Sequence, residues 1–273
     1  MTEPVKKLRL AVLVSGGGTN LQAMIDRSAA GAMSAEIVAV ISDRPDAYGL
    51  RRAEEAGIPA FCVDYSAFAS SELPVPGDLP IDLDELDSRQ RILKDQDMPR
   101  RRARLARLVL AEHKLIEIIE AHHADFICLA GYMRLVTPYF IGRFNSGGMR
   151  RILHIHPALL PSFPGQHGYE DTFAYGCKWG GITVHFVDEG EDTGPVIAQA
   201  VYPIWPEDDP ERIRARGLRL EYEVYPQVIN WLARGSIGFD ELPGGRTRVL
   251  VSDPGYAVIL QSWTRQAFLP EQQ

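Results

Sequence analysis

A series of short apolar runs, separated by turns and by stretches with helical spacing, constrains this chain more than any other feature. The runs are Leu8–Val14, Ile37–Ile41, Ala60–Val63, Phe126–Ala130, Ile152–Ile155, Ile182–Val187 and Val196–Ile204. Asn20–Ala30, Leu50–Ala56 and Leu105–Ala121 read as helices between them, and Leu105, Leu108, Leu115 and Ile119 fall near one helical face. Alternation of strand and helix predicts an α/β fold, with a mainly parallel central sheet flanked by helices. The 273 residues suit one large domain, or one domain with an insertion.

Two regions break the rhythm. Ser66–Met98 holds Pro74, Pro76, Pro80 and the acidic stretch Asp82–Asp87, and reads as an insertion that is partly loop. The tail contains Leu242-Pro243-Gly244-Gly245, a strand-like Thr247–Val251, a Pro254-Gly255 turn and Tyr256–Leu260, a hairpin pattern. The expected organisation is one domain over 1–235, an insertion at about 66–104, and an extension over 236–273 packed on the domain.

Charge and cysteine usage narrow the function classes. A net charge of −7 argues against nucleic acid as the main partner, because phosphate binding rests on clustered Lys and Arg. The one cluster, Arg100-Arg101-Arg102 with Arg104 and Arg107, reads as a solvated face where a helix follows Pro99. Cys62, Cys128 and Cys177 lack metal or disulfide spacing, and Cys62 and Cys128 read as small buried hydrophobes. No apolar stretch approaches the roughly 20 residues that span a bilayer. Leu10–Val14 is too short for a secretory signal, so the expectation is a soluble cytoplasmic protein.

Three motifs carry chemistry. Ser15-Gly16-Gly17-Gly18-Thr19-Asn20-Leu21-Gln22 follows the first strand and opens a helix. Glycines there let the backbone approach an anion, and free N–H groups at the helix start favour negative charge. It is neither a Walker loop nor GxGxxG, and a glycine turn without a ligand is common. In Ile152-Leu153-His154-Ile155-His156-Pro157, strand geometry puts His154 and His156 on one face. They suit a catalytic pair, core-edge residues or a zinc site, for which His167 and His185 are the nearby further ligands. In Ile182–Pro195, Thr183 and His185 alternate with apolar neighbours ahead of an acidic loop. A carboxylate such as Asp192 beside a histidine orients the ring and favours its charged form.

Gly17-Gly18-Thr19-Asn20-Leu21-Gln22, Leu129-Ala130-Gly131-Tyr132-Met133-Arg134, His156–Pro161 and Asp192–Ile197 occur in the order seen in the glycinamide ribonucleotide transformylase family of folate-dependent formyltransferases, which the chain resembles over roughly Leu8–Tyr65 and Leu105–Gly235. The resemblance implies a Rossmann-like formyltransferase fold. It also implies transfer of a formyl group from 10-formyltetrahydrofolate, as co-substrate, to the amine of glycinamide ribonucleotide in purine synthesis, without a metal. Gly17, Gly18, Thr19 and Asn20 would hold the substrate phosphate, and Gly131, Met133 and Glu221 the ribonucleotide. Arg134, Leu135, Val136 and Asp188 would line the folate pocket. His156 and Asp192 match two catalytic residues, with His156 as a charged donor to the oxyanion.

The third family residue is an asparagine in Asn-Ile-His-Pro, and here that place is His154. A neutral imidazole offers one N–H in place of the amide. Three readings follow: an active transformylase with a substituted donor, a formyl or related acyl transferase for a different amine, or a weak homologue that binds nucleotide or folate. The tail is too short and insufficiently basic for the methionyl-tRNA formyltransferases. A start near Leu8 leaves no room for the N-terminal regulatory domain of formyltetrahydrofolate deformylases. Small molecules are the expected partners, neither nucleic acid nor membrane is, and a homodimer is compatible with the reading.

Overall fold

The structure, a computed structural model, describes residues 7–69, 79–93 and 96–269. In chain order the elements are β1 (Leu8–Val14), α1 (Thr19–Ala29), β2 (Ala35–Ser42), α2 (Tyr48–Glu55), β3 (Ala60–Cys62), α3 (Tyr65–Ala69), α4 (Leu83–Arg89), α5 (Met98–Ala121) and β4 (Phe126–Leu129). There follow α6 (Pro138–Phe144), β5 (Ile152–His156), α7 (Gly168–Ala174), β6 (Trp179–Phe186), β7 (Val196–Pro203), α8 (Pro210–Ala233), β8 (Ile237–Leu242), β9 (Arg246–Val251) and α9 (Tyr256–Ala267).

The main sheet runs β3-β2-β1-β4-β5-β6-β7. β3 through β5 are mutually parallel, whereas β6 is antiparallel to both β5 and β7. β1 lies inside the sheet, and its Leu10–Val14 stretch reads as an unbroken apolar run because both its faces are covered. Leu10, Val12 and Val14 join a core with the buried face of α8, including Leu220, Val224 and Trp231. Ala11 and Leu13 point the other way, into a core with Leu115 and Ile119 of α5 and Phe140 of α6. The two-residue period of the strand thus supplies two hydrophobic layers from one segment.

Several expectations change in detail. Cys62 is exposed, because β3 is a three-residue edge strand, while Cys128 on β4 is buried as expected. α5 starts at Met98, capped by Asp97 with Pro99 in its first turn, so the arginine cluster lies on the helix itself. That cluster is only partly solvated: Arg101 bonds Asp87 and Arg102 pairs with Asp84, both from the acidic stretch. α4, within the insertion, carries that stretch, and Leu86 packs with Leu93, Leu105 and Val109 in a small separate core. Pro74 and Pro76 lie outside the described residues.

The tail hairpin is shifted. It joins β8 to β9 through Pro243-Gly244-Gly245, and Tyr256–Ala267 is a helix rather than its second strand. Both turn glycines take positive φ, at 91° and 77°, which closes the chain early. Trp263 of α9 then packs edge-on against Trp231 of α8, with ring centroids 5.9 Å apart. Among the described residues, no helix is long and apolar enough to cross a membrane.

Candidate active site

Strand order reverses direction between β1 and β4, so the loops leaving their C-terminal ends diverge and open a crevice. Ser15 stitches those loops together: its N–H donates to the Gly131 carbonyl at 3.1 Å, and its Oγ accepts from the Met133 N–H at 2.9 Å. Above this point lies a cavity of about 450 Å³. Every site residue expected from the sequence lines it: Gly17, Gly18, Thr19, Asn20, Gly131, Met133, Arg134, Leu135, Val136, His154, His156, Asp188, Asp192 and Glu221.

The glycine loop opens α1 with Gly18 in the left-handed region, φ 66°. A Cβ there would sit 2.8 Å from the Gly49 Cα, so the loop depends on glycine for both conformation and clearance. Arg52 of α2 braces the loop by donating to the Gly17 carbonyl at 2.8 Å. Asn20 is buried and donates its amide to Glu221 at 2.6 Å. One of its two amide N–H bonds is therefore committed inside the protein. Glu221 also accepts from the Tyr169 hydroxyl at 2.5 Å, and burial pushes its carboxyl above the usual range. Gly217 permits this, because a side chain one turn before Glu221 would collide with the Tyr169 ring.

The reacting centre is set by strand register. His154 and His156 share a face of β5, as the two-residue period requires, and His185 of β6 lies directly opposite His154. All three rings surround Asp192. Its Oδ1 lies 3.3 Å from His154 Nδ1 and 3.6 Å from His185 Nε2, and its Oδ2 lies 3.4 Å from His156 Nδ1. The Gly165 N–H donates to Oδ2 at 2.8 Å. Asp192 takes φ 52°, which bends the acidic loop so that its carboxylate enters the cluster. Burial works against its charge, but the contacts with His154 and His185 hold its carboxyl well below the usual range.

Burial pushes His154 and His156 below their ordinary value of 6.5, with Asp192 opposing the shift at both. At His156 burial thus works against a resting charge and the partner carboxylate works for it. Its Nε2 lies 2.8 Å from the Phe163 carbonyl, which only accepts, so Nε2 carries the hydrogen. Its Nδ1 lies 3.4 Å from Asp192 Oδ2, where the carboxylate is placed to hold a second proton on the ring.

On the far side, Arg134 donates to the buried Asp43 at 2.6 Å and lies 4.3 Å from the Tyr65 ring centroid. Leu135 is half exposed, Val136 is buried, and Asp188 accepts from Gly190 N–H and Thr193 Oγ1. The insertion reaches this side: Ile92 lines the cavity, and Arg89 pairs with Glu189 at 2.6 Å.

Residues 8–229 match the family model for formyl transferase. The chain belongs to the formyl transferase family. It is 35% identical over 229 residues to phosphoribosylglycinamide formyltransferase of Haemophilus influenzae, covering 84% of this chain and 89% of that protein. A trifunctional purine biosynthetic protein, adenosine-3, of Drosophila melanogaster is also 35% identical, but the chain spans only 14% of that protein's length. The crystal structure of glycinamide ribonucleotide transformylase 1 from Symbiobacterium toebii superposes with a TM-score of 0.71 at 36% identity, covering 93% of this chain and 98% of that one.

For a formyl transferase, the sequence left several cavity residues unnamed. Arg214 lines the cavity two helical turns before Glu221, a spacing that could have revealed it. Tyr169, which lines the cavity, and Arg52, which braces the glycine loop, carry no local signal, because they reach the site from separate helices. His185 stood out as an alternating polar residue and, with His167, as a nearby candidate zinc ligand, but its pairing with His154 depends on the antiparallel turn of the sheet.

Proposed function

We propose that this formyl transferase moves the formyl group of 10-formyltetrahydrofolate onto the amine of glycinamide ribonucleotide. The reading rests on one observation: residues assigned by resemblance to phosphate, ribose, reacting centre and folate all border a single cavity. The glycine loop, with Arg214 nearby, receives the phosphate, and Glu221 the ribose. Arg134, Leu135, Val136 and Asp188 flank the folate. Residues 1–235 act as the catalytic domain, with 236–273 packed on it, and the enzyme works in the cytoplasm on small molecules.

The amine attacks the formyl carbon, and the carbonyl oxygen becomes an oxyanion. The proton released by the attacking amine is taken up by the pair of His156 and Asp192, whose Nδ1 and Oδ2 lie 3.4 Å apart. The imidazolium so formed is stabilised by the carboxylate and in turn stabilises the oxyanion, where fixed charge contributes most. Collapse breaks the bond from the formyl carbon to the folate nitrogen, which collects the proton. His154 stands where the family's amide donor stands and faces the same centre.

The test incubates purified protein with the two substrates and follows loss of the formyl folate and appearance of formylglycinamide ribonucleotide by mass spectrometry. Steady turnover is expected. Turnover with other amines but none with this one would reassign the acceptor, and binding without any turnover would sink the reading.

A further inference from the structure

We propose that His154, His185 and Asp192 form a binding site for a divalent transition metal ion of the zinc class. Their donor atoms, Nδ1 of His154, Nε2 of His185 and Oδ1 of Asp192, all lie within 4.8 Å of one another. Two edges of that triangle are already short, 3.3 Å from His154 to Asp192 and 3.6 Å from His185 to Asp192. Metal–ligand bonds of about 2.0–2.1 Å in a tetrahedral site separate neighbouring ligands by roughly 3.3 Å. The third edge is 4.8 Å or less, and His154 has room to adjust, since its side chain is 21% exposed whereas that of His185 is 2%.

The decisive feature is the tautomer of His185. Its Nδ1 lies 2.8 Å from the Phe186 carbonyl, which can only accept, so Nδ1 carries the hydrogen. In the neutral ring Nε2 therefore holds a lone pair. That atom is buried, has no hydrogen-bond partner, and faces a carboxylate oxygen. Two electron-rich atoms aimed at each other in a buried place call for a cation between them. A backbone carbonyl accepting from the far ring nitrogen is also the usual support of a metal-bound histidine. Two imidazoles and one carboxylate suit zinc and its first-row neighbours, whereas magnesium and calcium favour oxygen ligands throughout.

The site arises from the departure at position 154. With asparagine there, as in the family pattern, the pair His185 and Asp192 lacks its third strong ligand. The open side of the triad faces the cavity, so a bound metal would keep positions free for a substrate oxygen. A role as electrophile in place of the amide donor rests on the transfer proposed above, but metal binding itself does not.

Full-length protein stripped with chelator and dialysed would be titrated with zinc chloride by calorimetry, with bound metal counted by mass spectrometry and cobalt(II) used as a visible-absorption probe. The expected result is one zinc per chain with Kd below roughly 10 µM, and a cobalt band of a nitrogen-containing, low-coordinate site. His154→Asn and His185→Gln should each weaken binding by about 100-fold or more and remove that band. His154→Asn, at a partly exposed position, guards against an unfolded variant, and thermal melts of both are compared with the parent. No zinc bound at 100-fold excess over about 10 µM, or equal affinity in both folded variants, overturns the inference and leaves a proton as the bridging cation. Zinc binding without formyl transfer to any amine would refute the transfer and leave the metal site standing. Transfer by a protein that binds no zinc would do the reverse.

Discussion

Replacing Asp192 by asparagine keeps the shape of the cluster and removes its negative charge. Asparagine tolerates the left-handed backbone at this position, φ 52°, and its carbonyl can still accept from the Gly165 N–H. The loss is therefore electrostatic. When His156 becomes an imidazolium, its Nδ1 stands 3.4 Å from the carboxylate in a side-chain environment only 1% and 9% exposed. At an effective dielectric constant of about 20, opposite charges at that distance attract by about 5 kcal/mol. With about 1.4 kcal/mol per tenfold in rate, kcat/KM should fall by about 10³-fold or slightly more. Steady-state assays with both substrates measure it, and circular dichroism with a thermal melt establishes that the fold survives. A loss below about tenfold in a folded variant would refute the role given to Asp192, because no reasonable dielectric reduces a buried pair so far.

Two further outcomes follow from the same physical reasoning. Glu112 is buried between α5 and α6, where it accepts from the Thr137 N–H at 2.7 Å, and burial raises its carboxyl to about 8. The folded chain thus keeps a proton that the unfolded chain releases. Stability is full below the ordinary value of 4.5, declines as pH rises, and levels off above about 8, a span of about 5 kcal/mol. Glu112→Gln should flatten that decline in urea unfolding measured at pH 5 and pH 8, and equal slopes for parent and variant would contradict it. Gly18→Ala forces a side chain into φ 66° and against the Gly49 backbone, and should cost about 1–3 kcal/mol in stability. It should also raise KM for the phosphate-bearing substrate about tenfold or more, with a smaller change in KM for folate. An unchanged KM for the first would mean that the loop does not hold the phosphate.

The sheet was legible because each of its strands carries a compact apolar run, unbroken over Leu10–Val14 of β1. α8, which supplies much of one core face, escaped notice because Pro210, Gly217 and Pro226 interrupt the helical signal. Pro210 only begins the helix, and Gly217 makes room for the Tyr169 ring, so two of the three breakers are explained by position. In the tail, Tyr256–Leu260 is an apolar run too short to distinguish strand from helix by period. His154 and His156 were readable as a pair from spacing alone. For a third member the sequence offered His185 and His167 alike, because the choice depends on which strands become neighbours. Whether Asn20 faces ligand or protein was equally hidden, since its partner is 201 residues away.

That last separation bears on how the molecule is made. The bond from Asn20 to Glu221 joins the first turn of α1 to the middle of α8, and the Ser34 N–H donates to Asn230 across 196 residues. During synthesis the glycine loop emerges early, yet the residue that clasps Asn20 leaves the ribosome only after most of the chain has followed. Contacts this distant in sequence form late, because closing the loop between them costs entropy before any contact repays it. The substrate end of the cavity is thus among the last parts to assemble. A nascent chain truncated before α8 would carry the clustered histidines on β5 and β6 but lack the closed cradle, which ties completion of the cavity to completion of the chain.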